Sequence, residues 1–299
     1  MLILMGRVGF EPTASSDQVN IPYIRLHEFL RNLPRFEDYL VLEAGLVKST
    51  AIGYIRSIRF VYNQIPVFNS DELRIFLKCI KEDKSPSRYS NILKALRHYT
   101  RFIGRPELAS RYAFPHPPLK PKIIPTKNDL ARFYDAIPTL RMKAFFLTTA
   151  SSGLRRGELL NLTIDDVDRE NRTLVPRSHK GYSKKSWISF FNIEAEQALN
   201  LHLENRNKRG PKSDRVFPFD SNGFKREWKT TKIKSKIPLK VKDLRDWFCS
   251  EMGRLGVPDR YVDAFCGRMP KSILSRHYTD YSPEKLKEIY DKADLKILS

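Results

Sequence analysis

Five prolines fall within residues 113–125, which read Ala-Phe-Pro-His-Pro-Pro-Leu-Lys-Pro-Lys-Ile-Ile-Pro. Proline fixes φ and offers no N–H, so neither a helix nor a central strand passes through such a stretch. An extended, semi-rigid connector is expected, and a chain of 299 residues has ample length for one domain on either side of it. Four regions follow: a flexible start (1–20), a unit over 21–112, the connector 113–125, and a second domain over 126–299.

Upstream of the connector, apolar residues recur at helical spacing. They are Tyr54, Ile55, Ile58, Val61 and Tyr62, then Leu73, Phe76, Leu77 and Ile80, then Tyr89, Ile92, Leu93, Leu96 and Tyr99. A small bundle of four helices is expected, with Asp71 after Ser70 as one cap. Downstream, Thr126 can cap a helix bearing Leu130, Phe133, Tyr134 and Ile137, and a second helix is expected over 141–149. Thr173–Pro176 and Trp187–Phe191 read as two short strands joined by the polar turn His179–Lys185. Helical spacing returns over 193–206, 240–255, 258–266 and 283–293. The fold class is mainly α with a small β-hairpin or sheet (α+β).

Lys plus Arg number 54 against 34 Asp plus Glu, a formal net charge of +20. Apolar residues at 41 % and aromatics at 11 % are enough for real cores, which excludes a wholly disordered basic tail. No run approaches the roughly eighteen apolar residues of a membrane span, so a soluble chain without a membrane partner is expected. Met1–Met5 lacks the basic and long apolar regions of a signal peptide. Cys79, Cys249 and Cys266 lie far apart and form no C-x-x-C pair, so a disulfide framework or zinc knuckle is not expected and a reducing cytoplasm is the simplest setting. Because the positive surplus runs through folded-looking sequence, nucleic acid is the favoured partner. Arg56, Arg59, Lys94, Arg97 and Arg101 lie on polar faces of the upstream helices and together make a phosphate-tracking surface.

No phosphate-binding glycine loop or dinucleotide fingerprint occurs, and the six histidines show no metal-ligand spacing. The cluster Asp165-Asp166-Val167-Asp168-Arg169-Glu170 reads as a turn leading into a strand, not as a metal site. The second domain does carry a series of cations that ends at a tyrosine. Gly153-Leu154-Arg155-Arg156-Gly157-Glu158-Leu159 places Arg155 at a helix start, and Lys180 lies in the hairpin turn. Lys242-Asp243-Leu244-Arg245 opens a helix with Lys242 and Arg245 three apart on one face. Gly267-Arg268 follows the next helix, and Arg276-His277-Tyr278-Thr279 comes ten residues later.

This series resembles the tyrosine recombinase (phage integrase) family over residues 126–299, and the upstream bundle resembles that family's core-binding domain. The resemblance places Arg155, Arg245 and Arg268 around a scissile phosphate, with Lys180 as the hairpin lysine and Tyr278 as the nucleophile. Lys242 stands where the family usually has histidine, and Arg268 where it has histidine or tryptophan. Both substitutions keep a donor, but arginine stays protonated and is a poor neutral acid or base. Such variants resemble integrases of archaeal viruses and plasmids more than the bacterial Xer group.

The resemblance implies a site-specific recombinase that needs no cofactor and no metal. Guanidinium forks stabilise charge spread over the phosphoryl oxygens, while flanking cations favour the phenolate of Tyr278. Lys180 or Lys242 would protonate the leaving 5′-oxygen. A 3′-phosphotyrosyl bond would retain the energy needed for religation. The implied partner is double-stranded DNA at attachment sites, clamped between the two units. The implied assembly is a homotetramer on synapsed DNA, monomeric or dimeric when free, nucleoid-associated in the cytoplasm when DNA-bound. Lys184 and Lys185 rival Lys180, and Tyr281 rivals Tyr278.

Leu286, Ile289, Tyr290 and Ala293 form an apolar stripe on the tail helix, which packs either on its own domain or on a neighbouring protomer. Gly9–Pro12 can be encoded GGG-TTC-GAA-CCC, which reads like the TΨC arm of a transfer RNA, so an attachment site within the gene's 5′ end and a tRNA-gene target are expected. A type IB topoisomerase-like enzyme and a catalytically silent DNA-binding protein are the alternatives.

Overall fold

The computed structural model describes residues 26–65, 68–116, 121–177, 188–210, 213–268 and 272–298. The chain forms two compact units, Met1–Lys120 and Pro121–Ser299. Among the described residues no helix is long and apolar enough to cross a membrane. The flexible start expected over residues 1–20, Lys180 and the expected turn His179–Lys185 lie outside the described residues.

The first unit is helical. A bent arm of α1 (Leu26–Arg31), α2 (Leu33–Asp38) and a π-helical turn (Tyr39–Glu43) leads into α3 (Lys48–Gln64). α4 (Ser70–Asp83), α5 (Pro86–Phe102) and the short α6 (Glu107–Ser110) complete it. Each expected apolar run supplies the core: Ile58, Val61, Leu73, Ile92, Leu93 and Leu96 are fully buried. At its centre the hydroxyls of Tyr62 and Tyr99 meet at 2.7 Å, which satisfies two polar groups that would be costly to bury alone. The cap of α4 is Asn69 rather than Asp71. The Asn69 side chain accepts from the backbone N–H groups of Asp71 and Glu72 at 3.0 and 2.9 Å. The physical reason is register: the capping residue must precede the helix, and Asp71 already lies inside its first turn.

The second unit is built around α8 (Leu140–Ser152), with α7 (Lys127–Asp135) before it and the short α9 (Arg156–Leu160) after it. Thr126 and Asp129 cap α7 reciprocally, as that start predicts. Every residue of α8 from Ala144 to Ser152 is buried, so burial extends around the whole helix, and the Thr149 and Ser152 hydroxyls bond back to carbonyls of α8 itself. Its neighbours are α10 (Ile193–Lys208) and α12 (Val241–Arg254). Phe145 meets Phe217 and Phe224 edge-on, and Phe146 stacks on Phe133.

Among the described residues the sheet has three antiparallel strands: β1 (Val167–Asp168), β2 (Thr173–Leu174) and β3 (Ser189–Phe190). Val167 pairs with Leu174, and Thr173 pairs with Phe190. The two expected strands are shorter than their apolar runs, and β1 was not expected. It is hidden in the acidic cluster because only Val167 carries strand character there.

Three further helices close the domain: α13 (Asp259–Phe265), α14 (Ile273–His277) and α15 (Pro283–Lys292). Before α12 lies α11 (Ser221–Ser235), absent from the sequence reading. The stripe on α15 is buried on this chain's own domain. Tyr290 packs against Phe190 and Phe265, Leu286 is fully buried, and Asn192 donates to the Leu295 carbonyl at 2.9 Å.

Candidate active site

The site begins where α8 stops. The final carbonyls of a helix have no partner within it and carry its partial negative charge. Here three of them are met by three different elements. Tyr290 Oη donates to the Ser151 carbonyl at 2.9 Å, Ser189 Oγ to Ser152 at 2.7 Å, and Arg245 Nη1 to Gly153 at 2.6 Å. The tail helix, the sheet and α12 therefore all attach at one helix end.

Gly153 turns the chain out of α8 at φ +63°, where L side chains are disfavoured. A Cβ there would lie 2.4 Å from the Phe248 ring and 3.1 Å from Cys266 Sγ. Gly153→Ala should therefore combine a left-handed penalty with overpacking, about 3 kcal/mol in all. A fall in the thermal midpoint of roughly 6–12 °C checks this.

Leu154 is fully buried beneath the turn, and Arg155 is then the N-cap of α9. Glu158, only 2 % exposed, holds it twice: the Arg155 backbone N–H donates at 2.6 Å and Nη1 at 2.7 Å. A buried carboxylate so paired fixes the arginine's direction. The Glu158 of the motif thus serves the geometry of Arg155.

α12 begins in the same manner, with Asp243 accepting the Lys240 backbone N–H at 2.8 Å. That start sets Lys242 and Arg245 one turn apart. Arg245 is wedged between two helix ends, since its Nη2 also donates at 2.7 Å to the carbonyl of Cys266, the residue that caps α13. A guanidinium has five N–H groups, so three remain for a ligand beyond these two bonds. Burial lowers the Arg245 pKa, and the nearby charges of Arg155 and Arg268 lower it further. Arg268 is itself anchored by Asp263 at 2.9 Å. Three guanidiniums at such proximity make a strongly positive point that an anion would relieve.

Arg155, Lys242 and Arg245 line a cleft of about 480 Å³ whose floor is Leu154, Phe224, Trp228, Leu239 and Val241. Arg156, Lys225, Lys229, Lys232 and Lys240 complete its rim, and among the described residues no acidic one lines it. Sequence reading missed these five. The signal was present in Lys225, Lys229 and Lys232 at i, i+4 and i+7, but it required recognising α11. Lys242 is well exposed, with Asp246 3.8 Å away.

Tyr278 follows α14 and is 79 % exposed. Its backbone N–H donates to Leu274 at 3.0 Å, and its hydroxyl bonds no described residue. The structure thus brings Arg155, Arg245 and Lys242 together in the cleft, sets Arg268 outside its lining but near enough for its charge to act on Arg245, and leaves Tyr278 on an exposed helix end. Tyr281 is its opposite: its hydroxyl is buried without a partner among the described residues, and its ring lies 6.0 Å from that of Tyr261.

In the first unit, Arg56, Arg59, Lys94 and Arg101 are exposed on the packed pair α3 and α5. Arg97 is engaged internally, donating to the Tyr112 carbonyl at 2.6 Å and lying 4.5 Å over the Phe114 ring. It straps the end of the unit to α5.

The phage integrase family model matches residues 125–285, more than half of the chain. Tyrosine recombinase XerA of Pyrococcus horikoshii is 28 % identical over 276 residues, covering 88 % of this chain and 93 % of that one. The solved lambda integrase (residues 75–356) bound to DNA superposes with a TM-score of 0.65 at 14 % identity, over 88 % of this chain and 99 % of that one. A lambda integrase tetramer bound to a Holliday junction gives 0.64 at 14 % identity, over 86 % and 78 %. The match to more than half of its length shows that the chain belongs to the phage integrase family of tyrosine recombinases.

Proposed function

We propose that this chain is a site-specific DNA recombinase that cuts and rejoins strands through a covalent 3′-phosphotyrosyl intermediate. The observation that carries the reading is a cleft lined by Arg155 and Arg245 whose charged residues are all cationic, with the charge of Arg268 also acting on Arg245. In this scheme the Tyr278 oxygen attacks the scissile phosphorus, a bond to phosphorus forms, and the bond to the 5′-oxygen breaks. The two forks anchored by Glu158 and by the helix ends hold the non-bridging oxygens where charge develops, so little reorganisation is needed at the reaction. Lys180 or Lys242 gives the leaving 5′-oxygen its proton, and the phenolic proton passes to solvent. Reversal by a 5′-hydroxyl from a second duplex exchanges the strands.

The DNA-bound and tetrameric forms of lambda integrase support duplex DNA as the partner and a tetramer as the working assembly. The XerA relatives support recombination as the reaction. The first unit would add phosphate contacts through Arg56, Arg59, Lys94 and Arg101. A tRNA gene is the proposed target, resting on the codons available to Gly9–Pro12. The test is incubation with two duplexes carrying the gene's own 5′ segment: junctions and recombinants support the reading. Supercoil relaxation without junctions would make the chain a topoisomerase, and binding without cleavage would make it a silent binder.

The rim of the cleft has its own consequence. Lys225, Lys229 and Lys232 would each neutralise one phosphate flanking the cut. Changing all three to Gln should reduce the slope of log affinity against log salt by about 2–3, since each contact releases close to one counterion. Filter binding from low to moderate salt measures it.

A further inference from the structure

Cys249 and Cys266 are 17 residues apart in sequence, yet their sulfurs lie 3.4 Å apart beside the arginine cluster. Cys249 is half-buried on α12, one turn beyond Arg245, whereas Cys266 is fully buried behind it. The reaction above uses neither sulfur. The hydrogen bond from Cys266 lowers the Cys249 pKa, burial opposes the shift, and Arg268 and Arg245 add to it. That bond, with burial, raises the Cys266 pKa. The half-buried outer sulfur is thus the one favoured to carry thiolate character, and the inner sulfur lies within reach to resolve it, the arrangement that oxidants attack. The third cysteine, Cys79, is exposed on the other unit.

We propose that Cys249 and Cys266 form a peroxide-responsive dithiol whose closure to a disulfide reversibly slows DNA strand cleavage. The Cys249 thiolate attacks one oxygen of hydrogen peroxide, the O–O bond breaks, and Cys249 sulfenic acid and hydroxide form. Cys266 then attacks the Cys249 sulfur and displaces a second hydroxide. With the Cys266 proton and one from solvent, both leave as water. Two electrons pass from the thiols to the peroxide.

The consequence for the site follows from what Cys266 holds. Its carbonyl seats Arg245 at 2.7 Å, its sulfur borders Gly153, and Arg268 follows two residues later. A disulfide brings the sulfurs from 3.4 Å to about 2.05 Å, which draws the two side chains together and pulls on α12 and the α13 cap that carry them. Misplacement of reacting groups by about 1 Å costs on the order of 10²-fold in rate. DNA affinity should barely change, because no cation is removed. The catalytic half of this proposal rests on the recombinase reading, and the thiol half does not.

The test treats the full reduced chain with hydrogen peroxide under folding conditions, then maps peptides and assays cleavage of a nicked duplex. The expected result is a Cys249–Cys266 crosslink, cleavage lowered about 10–100-fold, and recovery of both with dithiothreitol. Cys249→Ser should cleave normally and ignore peroxide, and Cys79→Ser should respond like the parent. Oxidation confined to Cys79, or a mapped 249–266 disulfide with unchanged cleavage, would overturn the proposal. A reduced chain that never cleaves would refute the recombinase reading and the catalytic half together, while the mapped crosslink still decides the dithiol.

Discussion

Tyr278→Phe should leave folding and DNA affinity intact while lowering strand cleavage by at least about 10⁴-fold, because removing a nucleophile removes the reaction path and not merely a contact. The expectation of unchanged folding rests on placement. The side chain is 79 % exposed and its hydroxyl bonds no described residue, so its loss should cost no more than about 0.5 kcal/mol. The expectation for chemistry rests on what an exposed phenol can do that a buried one cannot. Tyr290 is fastened to Ser151, and burial raises its pKa well above the ordinary phenol, which disfavours the phenolate. Tyr281 is enclosed beside Tyr261. Of the three, Tyr278 alone is open to a phosphate from solvent. A nicked duplex that releases a short 5′-hydroxyl fragment traps the adduct, which a denaturing gel resolves. The adduct should persist in Tyr281→Phe and vanish in Tyr278→Phe. The reverse pattern would move the nucleophile to Tyr281, and an adduct in both would take Tyr278 out of the mechanism.

The parts of this site that were legible in sequence are those encoded locally. Gly153-Leu154-Arg155 with Glu158 is a turn, an anchor and a cap within six residues, and Arg155 stands at the helix start that the motif suggested. Lys242 and Arg245 were readable because one helical turn separates them. What stayed hidden depends on distant partners. Arg97 looked like any cation on a polar face, but Ser110, Tyr112 and Phe114 return to engage it. Cys249 and Cys266 looked unrelated because α13 must fold back before their sulfurs meet. α11 was obscured by its composition: Phe224 and Trp228 carry the buried face together with Thr231 and Ser235, so polar residues occupy positions where periodicity looks for aliphatic ones. In the upstream unit the long apolar stripes were plain, whereas the cap of α4 was shifted by two residues because Asn, Ser and Asp follow one another at 69–71 and any of them can cap.

Arg245→Lys separates charge from geometry at the centre of the site. Lysine keeps the positive charge, so the salt slope of DNA binding should stay within one unit of the parent value. It loses the planar fork, which Arg245 uses to bridge the end of α8 and the cap of α13 while still presenting donors outward. A single ammonium cannot satisfy both carbonyls and also hold two phosphoryl oxygens. Cleavage should therefore fall by about 10²–10³-fold, which corresponds to roughly 3–4 kcal/mol of lost transition-state stabilisation. Single-turnover cleavage at saturating protein isolates that step from binding. Arg245→Ala should differ in kind: it removes one charge from the salt slope and leaves the Gly153 and Cys266 carbonyls without a donor, so the thermal midpoint should fall as well. If Arg245→Lys cleaves at the parent rate, positive charge alone suffices at this position. The bridging of two helix ends would then be a device of folding that happens to lie beside the chemistry.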